Sequence, residues 1–169
     1  FLSQKQACKY YAIFLNVMAS IVEEFGGKIV KNVGDSLLYY FPKKLEFSEN
    51  LLAKYSIECG IAMLAAGNRV NELMKAEHLP SVKYRISGDY GIVMIAREIH
   101  STRDDLFGPP VNICSKINRH AKPNSMVIGG DMYQIAKYFQ EYSFKQCSDC
   151  STGLKFNYPV YSIESKNPR

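Results

Sequence analysis

The amino-acid sequence predicts a single α+β domain in which helices pack on a substantially antiparallel sheet. Two stretches with helical spacing of apolar residues, 1–25 and 51–77, are each followed by two short strand-like stretches. Strands that follow one another across a short turn pair in antiparallel fashion, because a parallel pair needs a longer crossover. No repeat, linker or low-complexity stretch interrupts the 169 residues, so one domain is expected over 1–169.

The opening region is predicted to form a helix followed by a β-hairpin. Apolar residues recur at helical spacing over 1–25, and two glycines then end the pattern. The segments at 28–33 and 36–41 are rich in Ile, Val, Leu and Tyr, which favours strands. Gly34 and Asp35 lie between these segments and form the expected turn.

The remaining elements continue the mixture of helices and strands. They are predicted, in chain order, as a long helix at 51–77, a strand pair at 82–86 and 91–95, a loop at 96–104, a helix that begins at Pro109-Pro110, a strand at 126–128, a helix at 131–139, and closing strands at 142–144 and 157–163.

Composition and charge exclude several classes of protein. A hydrophobic content of 47% with 22% charged residues is typical of a globular domain and not of a disordered chain. The net charge of +5 suits an anionic partner such as a nucleotide, but it also fits a plain solvated surface. No run of five Lys or Arg residues indicates a nucleic-acid site. No apolar run reaches the ~18 residues of a membrane-spanning helix.

The five cysteines do not form a disulfide framework, because their number is odd and they are scattered along the chain. This usage predicts a reducing, cytoplasmic location. Cys8 and Cys59 lie within helical apolar patterns and are predicted to be buried thiols. Cys147 and Cys150 have CxxC spacing, but no second pair is present to complete a tetrahedral zinc site.

Two motifs carry the chemical interpretation. The first is GGKIVKNVGDSLLYYF at 26–41, and the second is DLFGPPVNICSK at 105–116. The first resembles the Gly-Gly-x-x-Val-Lys-x-x-Gly-Asp element of class III nucleotidyl cyclases, and the second resembles their Asp-x-x-Gly-x-x-Val-Asn-x-x-x-Arg element. RISGDYGIV at 85–93 and LKFNYPVYSIES at 154–165 resemble further strands of that family, in the same order. The resemblance implies a ferredoxin-like, antiparallel-rich sheet with helices packed on it.

The resemblance also implies a reaction. The ribose 3′-hydroxyl of a nucleoside triphosphate attacks its own α-phosphate and releases pyrophosphate, with two divalent cations, Mg²⁺ or Mn²⁺, at each site. Asp35 matches one of the family's two metal-binding aspartates, although turns also carry Asp for local reasons. The other aspartate belongs to a strand before the first helix. Because the chain starts with Phe1 inside that helical pattern, we expect the first strand to lie upstream.

Lys31 and Asp105 match the pair of residues that reads the base in the family. Adenine offers an acceptor at N1 and a donor at its 6-amino group, so a lysine beside a carboxylate favours ATP. Asp104 is a rival for the acceptor role, but spacing to the later motif residues selects Asp105. The alternative interpretation is a solvated lysine and an aspartate that caps the following helix.

Asn112 matches the asparagine that orients the ribose in the family. Four residues later the family has an arginine against the α-phosphate, and here Lys116 takes its place, which is not a conservative change at a bidentate site. On a helix Arg119 would share one face with them, at i, i+4 and i+7. We hypothesise that Lys116 or Arg119 neutralises the α-phosphate, whereas a solvated basic helix face is the alternative. Asp89 is interpreted as a turn or surface residue.

The leading hypothesis is therefore an adenylate cyclase domain of a longer signalling protein with fused regulatory domains. In the family, the metal-binding aspartates come from one subunit and the base-reading and ribose-binding residues from the other, so a head-to-tail homodimer is implied. A catalytically degenerate regulatory domain that binds nucleotide or dimerises is the alternative. Lys31 and Asp105 disfavour a guanylate cyclase. Ser36 after the Gly-Asp turn, where a Glu would be needed, disfavours a diguanylate cyclase.

Overall fold

The computed structural model describes residues 2–97, 104–147 and 157–167. The helices are α1 Gln4–Glu24, α2 Glu49–Ala65, α3 Gly67–Ala76, α4 Pro109–Ile117 and α5 Gly130–Ala136, and a 3₁₀ turn at Asn118–His120 follows α4. The strands are β1 Lys28–Val33, β2 Ser36–Tyr40, β3 Arg85–Gly88, β4 Met94–Arg97, β5 Asp104–Phe107, β6 Ser125–Gly129, β7 Tyr142–Gln146 and β8 Val160–Ser165. None of these helices combines the length and the apolar composition that crossing a bilayer requires.

The strands form one four-stranded sheet and two separate two-stranded ribbons. The strand order in the sheet is β3-β6-β8-β7, in which β3 is parallel to β6 and the other neighbours are antiparallel. β1 pairs with β2 as a hairpin, and β4 pairs with β5 as a second antiparallel ribbon. Because β3 with β6 is the one parallel pair among them, the predicted α+β class with an antiparallel-rich sheet is confirmed.

Helices cover the four-stranded sheet on both faces. Successive side chains of a strand point to opposite faces, and β6 has Met126, Val127 and Ile128 all buried, as a strand covered on both sides does. Met126 and Ile128 belong to the large core with α1, α2 and α3. Val127 belongs to a smaller cluster with Ile113 and Ile117 of α4. The helix α4 is thus fixed to one face of the sheet by its buried residues.

Helix α1 begins with a capping box, in which Ser3 and Gln6 each accept a hydrogen bond from the backbone N–H of the other. The second half of α1 enters the core through Met18, whereas its first half is mostly exposed. Cys8 lies in that first half and is exposed, so its predicted burial is wrong. Cys59 on α2 is fully buried, as predicted.

The predicted second hairpin, 82–86 with 91–95, is wrong. β3 pairs in parallel with β6, and β4 pairs with β5 further along the chain. The intervening turn does not fold back along β3, because it packs against the start of α4. Gly91 lies so close to Pro110 that an added Cβ would be 2.6 Å from the Pro110 Cγ.

Other boundaries differ from the prediction for local reasons. The predicted helix at 51–77 is divided at Ala66, which ends α2 and precedes α3, where Gly67 has low helix propensity. The predicted loop at 96–104 has strand residues at both ends, and 98–103 lie outside the described residues. Cys150 of the CxxC motif also lies outside them. The helix predicted at 131–139 is Gly130–Ala136, and the strand predicted at 157–163 is Val160–Ser165.

Replacing Ile128 with alanine tests this assignment of the core. Ile128 is fully buried in β6, so Ile128→Ala is expected to lower the free energy of unfolding by about 2–5 kcal/mol. The matched control is Leu45→Ala, because the Leu45 side chain is fully exposed and its loss should change stability by less than about 0.5 kcal/mol. Urea denaturation measures both, and equal effects of the two variants would contradict the core assignment.

Candidate functional site

The tip of the β1–β2 hairpin presents a single carboxylate. Val33 pairs with Ser36, so Gly34 and Asp35 form a two-residue turn. Gly34 has φ +61°, a left-handed conformation that favours glycine. Asp35 is exposed. Burial raises the pKa of Tyr10 on α1 most, followed by the neighbouring Tyr11 and then by the charge of Asp35. Asp35 therefore lies close enough to α1 to act on Tyr10. The local sequence therefore fixes an exposed carboxylate beside α1.

A β-bulge in the hairpin divides β1 into a part that is buried in the core and a part that carries Lys31. Ile29 pairs with Tyr39 and Lys31 pairs with Leu38, which leaves Val30 as an extra residue in β1. Val30 is buried, and the strand resumes its pairing at Lys31. β1 lies beside β5 in this region, so Lys31 can reach the second motif.

Lys31 and Asp105 form an ion pair that joins the two sequence motifs. The Lys31 Nζ lies 2.6 Å from the Asp105 Oδ1, and the side chains are 40% and 33% exposed. The backbone N–H of Leu106 also donates to Asp105 Oδ1, at 2.9 Å. The hydrogen bond from Lys31 and then that from Leu106 lower the pKa of Asp105. The pair is thus an ionised donor and acceptor that remains accessible from solvent.

The neighbouring Asp104 has a different partner. In the β4–β5 register Asp104 lies opposite Arg97, and the Arg97 Nε is 3.8 Å from the Asp104 Oδ1. Asp105, which spacing selected, is the residue that meets Lys31. Asp105 also lies within β5, and α4 has no side-chain cap, so the alternative of a helix-capping aspartate is wrong.

Helix α4 carries the other sequence-predicted residues. Asn112 is exposed and Lys116 is partly exposed, one turn apart beside the buried Ile113 and Ile117. The α-helix ends at Ile117, and Arg119 lies in the 3₁₀ turn Asn118–His120 that follows it directly. The shared face of Asn112, Lys116 and Arg119 stays a prediction.

Asp89 is the residue that the sequence interpretation misjudged. It is not a surface turn residue, because its carboxylate accepts three hydrogen bonds. Burial raises the pKa of Asp89 more than the bonds from Tyr158, Tyr90 and Met132 lower it. The one sequence signal for this contact is Gly129 at the end of a buried strand, where a missing side chain indicates close approach of another group.

Asp35 can serve as one ligand of a divalent cation. In the described parts of the chain, no three His, Cys, Asp or Glu side chains form a cluster that could hold a metal ion. Mg²⁺ in nucleotide sites is often held by one or two carboxylates together with the substrate's phosphates and water. An exposed aspartate at the tip of a hairpin fits the part of such a site that a protein supplies.

Comparison with known proteins gives the family of this chain. The model of the adenylate and guanylate cyclase catalytic domain matches residues 4–164. The chain belongs to this cyclase family. The resemblance to class III cyclases drawn from the two motifs is therefore confirmed. A comparison with curated protein sequences found no significant match.

Solved structures share the fold of this cyclase domain at low sequence identity. The adenylyl cyclase CyaB from P. aeruginosa matches with a TM-score of 0.82 and 19% identity, over 98% of this chain and 86% of that one. The guanylate cyclase domain of RhGC from Catenaria anguillulae, in complex with GTP, gives 0.76 and 17%, over 98% and 87%. A non-canonical dimeric guanylyl cyclase domain of the RhoGC fusion protein from the aquatic fungus Blastocladiella emersonii gives 0.76 and 17%, over 97% and 86%. Adenylyl and guanylyl cyclases both match, so the fold does not select the base.

The ion pair between Lys31 and Asp105 predicts a measurable change in the pKa of Asp105 when Lys31 is replaced. Lys31→Met is expected to raise the pKa of Asp105 toward its ordinary value of about 3.9, because the main group that lowers it is removed. Since the folded-state pKa is the lowered one, the stabilisation by the pair is present above the unfolded-state pKa and lost as the pH falls through the folded-state value. Carboxyl ¹³C NMR titration measures the shift.

The control for this titration is Arg97→Met, which removes the cation beside Asp104 and leaves Lys31 in place. It should not change the pKa of Asp105. An Asp105 pKa that is the same in wild type and Lys31→Met would contradict the ion pair.

Proposed function

We propose that this domain is an adenylate cyclase, which converts ATP to 3′,5′-cyclic AMP and pyrophosphate. The observation that carries the proposal is the contact between Lys31 and Asp105, 2.6 Å between Nζ and Oδ1. It supports the assignment of a lysine donor and a carboxylate acceptor to one base-binding position. The cyclase family by itself leaves ATP and GTP equally open.

The pairing of these two groups leaves them able to bind a base. A lysine ammonium has three donors, and an ionised carboxylate has about four acceptor positions, so the ion pair uses only part of each. In the proposed complex Lys31 donates to adenine N1 and Asp105 accepts from the 6-amino group. Guanine presents a donor at N1 and an acceptor at O6, so it would place its N1 donor against the Lys31 ammonium.

Residues of α4 are proposed to act on the ribose and the α-phosphate. Asn112 is exposed one turn before Lys116, which supports its role in orienting the ribose. Lys116, or Arg119 beside it, would neutralise the charge that develops on the α-phosphate. Lysine does so as a point charge and not as a planar fork, so positioning depends on the helix that carries it.

Members of this family use divalent cations, and we propose that Asp35 holds them here. Bound Mg²⁺ or Mn²⁺, two per site, would activate the 3′-hydroxyl and hold the triphosphate. A second aspartate is proposed to come from a strand before α1. The four-stranded sheet and the β1–β2 hairpin are separate within the described residues, and β2 and β3 each pair on one side only there. These free edges support a place for that strand.

We further propose that the active form is a homodimer. Exposed apolar side chains surround the β4–β5 ribbon and the hairpin tip: Val33, Ile92, Met94, Ile95 and Phe107. Exposed apolar patches often mark protein interfaces, and a second copy would cover this one. Each site would then combine Asp35 of one copy with the Lys31 and α4 residues of the other. The described cysteines are free thiols, which supports the proposal of a cytoplasmic location. That the domain belongs to a longer signalling protein is also part of the proposal.

Product formation tests the proposed function. The full-length protein is incubated with ATP and, separately, GTP in Mg²⁺ or Mn²⁺, and cyclic nucleotide and pyrophosphate are quantified. We expect cyclic AMP in preference to cyclic GMP. Asp35→Ala should reduce turnover on the order of 100-fold or more, because it removes a ligand of the activating cation. Glu72→Ala, which changes an exposed carboxylate on α3, is the control and should be unchanged.

Two results would contradict the proposal. A preference for GTP would overturn the base assignment. The absence of product from either nucleotide, with a dimer confirmed by light scattering, would indicate a regulatory domain without turnover.

A further inference from the structure

The segment that follows β3 connects several elements through Asp89. The Asp89 Oδ1 accepts from the backbone N–H of Tyr90 at 2.9 Å and from that of Met132 on α5 at 3.2 Å. The Asp89 Oδ2 accepts from the Tyr158 hydroxyl at 2.7 Å. The Tyr158 hydroxyl in turn accepts from the backbone N–H of Asp131 at 3.0 Å. One carboxylate therefore joins the end of β3 to the start of α5 and to the residues that lead into β8.

The fit around this carboxylate is close. A Cβ added at Gly129 would lie 2.5 Å from the Asp89 Cγ, so the strand end leaves just enough space for the acid group. Tyr90 hydrogen-bonds through its side chain to Glu49 in the first turn of α2. The backbone on both sides of Asp89 is thus held from three directions, by α5, by the Tyr158 region and by α2.

Residues on both sides of Asp89 also hold α4. The Ser87 hydroxyl donates to the Cys114 carbonyl at 2.9 Å, and the Asn118 side-chain amide donates to the Ser87 hydroxyl at 3.1 Å. On the other side of Asp89, residue Gly91 lies against Pro110 in the first turn of α4. Residues 87–91 therefore contact α4 at its first turn, its middle and the residue after its end.

These polar contacts fix the rotation of α4, which the apolar contacts do not fix. Ile113 and Ile117 bury α4 against the sheet, but apolar burial is not directional and tolerates small rotations and shifts along the axis. Hydrogen bonds weaken steeply when their angles change, so the contacts of residues 87–91 fix the rotation of the helix. Asn112 and Lys116 lie on α4, and their side chains follow that rotation.

We infer that Asp89 is a positioning residue for the cyclase reaction. By holding residues 87–91 on α5 and Tyr158, it fixes α4 and so sets where Asn112 and Lys116 meet the ribose and the α-phosphate. Asp89 itself touches no substrate in this account. The inference rests on the proposed function for its effect on turnover, but its structural part, the fixing of α4, does not.

Two substitutions at Asp89 distinguish the loss of its hydrogen bonds from the loss of its negative charge. Asp89→Ala removes every side-chain acceptor, so kcat is expected to fall on the order of 10-fold to 100-fold while KM changes by less than about 3-fold, because base and metal contacts are untouched. Asp89→Asn can still accept with Oδ1 and donate from Nδ2 to the Tyr158 oxygen, so it should retain kcat within about 3-fold of wild type. A loss in Asp89→Asn as large as that in Asp89→Ala would overturn the inference.

Alkylation of Cys114 gives a readout that does not depend on activity. Burial raises the pKa of the Cys114 thiol to about 12, so it should react slowly while α4 is held in place. Cys8 is exposed and serves as the internal reference. Labelling with iodoacetamide, mapped by peptide mass spectrometry, should show Cys114 reacting at least ~10-fold faster, relative to Cys8, in Asp89→Ala than in Asp89→Asn. Both variants lack the Asp89 charge, which also raises the pKa of Cys114, so the difference between them reports the release of α4.

A milder variant keeps the test informative if Asp89→Ala does not fold. Tyr158→Phe keeps the ring in the α4 cluster and removes only the hydroxyl that bonds Asp89. It should show the same direction of change in kcat and in Cys114 labelling. Wild-type kcat together with unchanged labelling in a folded Asp89→Ala or Tyr158→Phe would overturn the inference. If the wild type makes no cyclic nucleotide, the proposed function fails, and the labelling alone still decides whether Asp89 fixes α4.

Discussion

The ion pair between Lys31 and Asp105 joins two parts of the chain that share no strand pairing among the described residues. The β1–β2 hairpin and the β4–β5 ribbon are separate two-stranded units, and β5 leads directly into α4. The contact therefore sets the distance between the hairpin and the helix that bears Asn112. The bulge at Val30 serves the same arrangement, because it anchors β1 in the core while the strand continues past it to Lys31 and Asp35. One short hairpin can thus present a lysine to one surface and a carboxylate at its tip.

A second constraint acts along α4. Ser87 of β3 holds the helix by hydrogen bonds at Cys114 and Asn118, while Ile113 and Ile117 hold it by burial. Positions on α4 are consequently defined by two independent contacts, one polar and one apolar. This division matters for a site in which Lys116 stands where the family has arginine. A point charge gains no geometric specificity from a planar fork, so its placement has to come from the backbone that carries it.

Structural features that depend on neighbouring residues could be predicted from the sequence, whereas contacts between residues far apart in the chain could not. The hairpin and its turn follow from short-range periodicity and turn chemistry, and the structure agrees with them. Spacing also selected Asp105, the aspartate that contacts Lys31 in the structure. The pairing of β3 with β6 could not be predicted from local sequence, because the partners are about 40 residues apart and the same residues also fit a hairpin. The role of Asp89 was missed for the same reason, since its partners Met132 and Tyr158 lie far along the chain. The end of α4 before Arg119 depends on backbone geometry that helical periodicity does not reveal.

Complementation between inactive subunits tests the central claim most directly, namely that each site combines the hairpin tip of one copy with α4 of another. Asp35→Ala and Asn112→Ala are prepared separately, each expected to lack turnover, and are then mixed under conditions in which subunits exchange. Random exchange makes about half of the dimers heterodimers, and each heterodimer has one of its two sites intact. The account therefore predicts recovery of about a quarter of the wild-type activity. Two copies of the same variant serve as the control and should recover none. A mixture as inactive as its parents, with heterodimers shown by native mass spectrometry, would contradict the account.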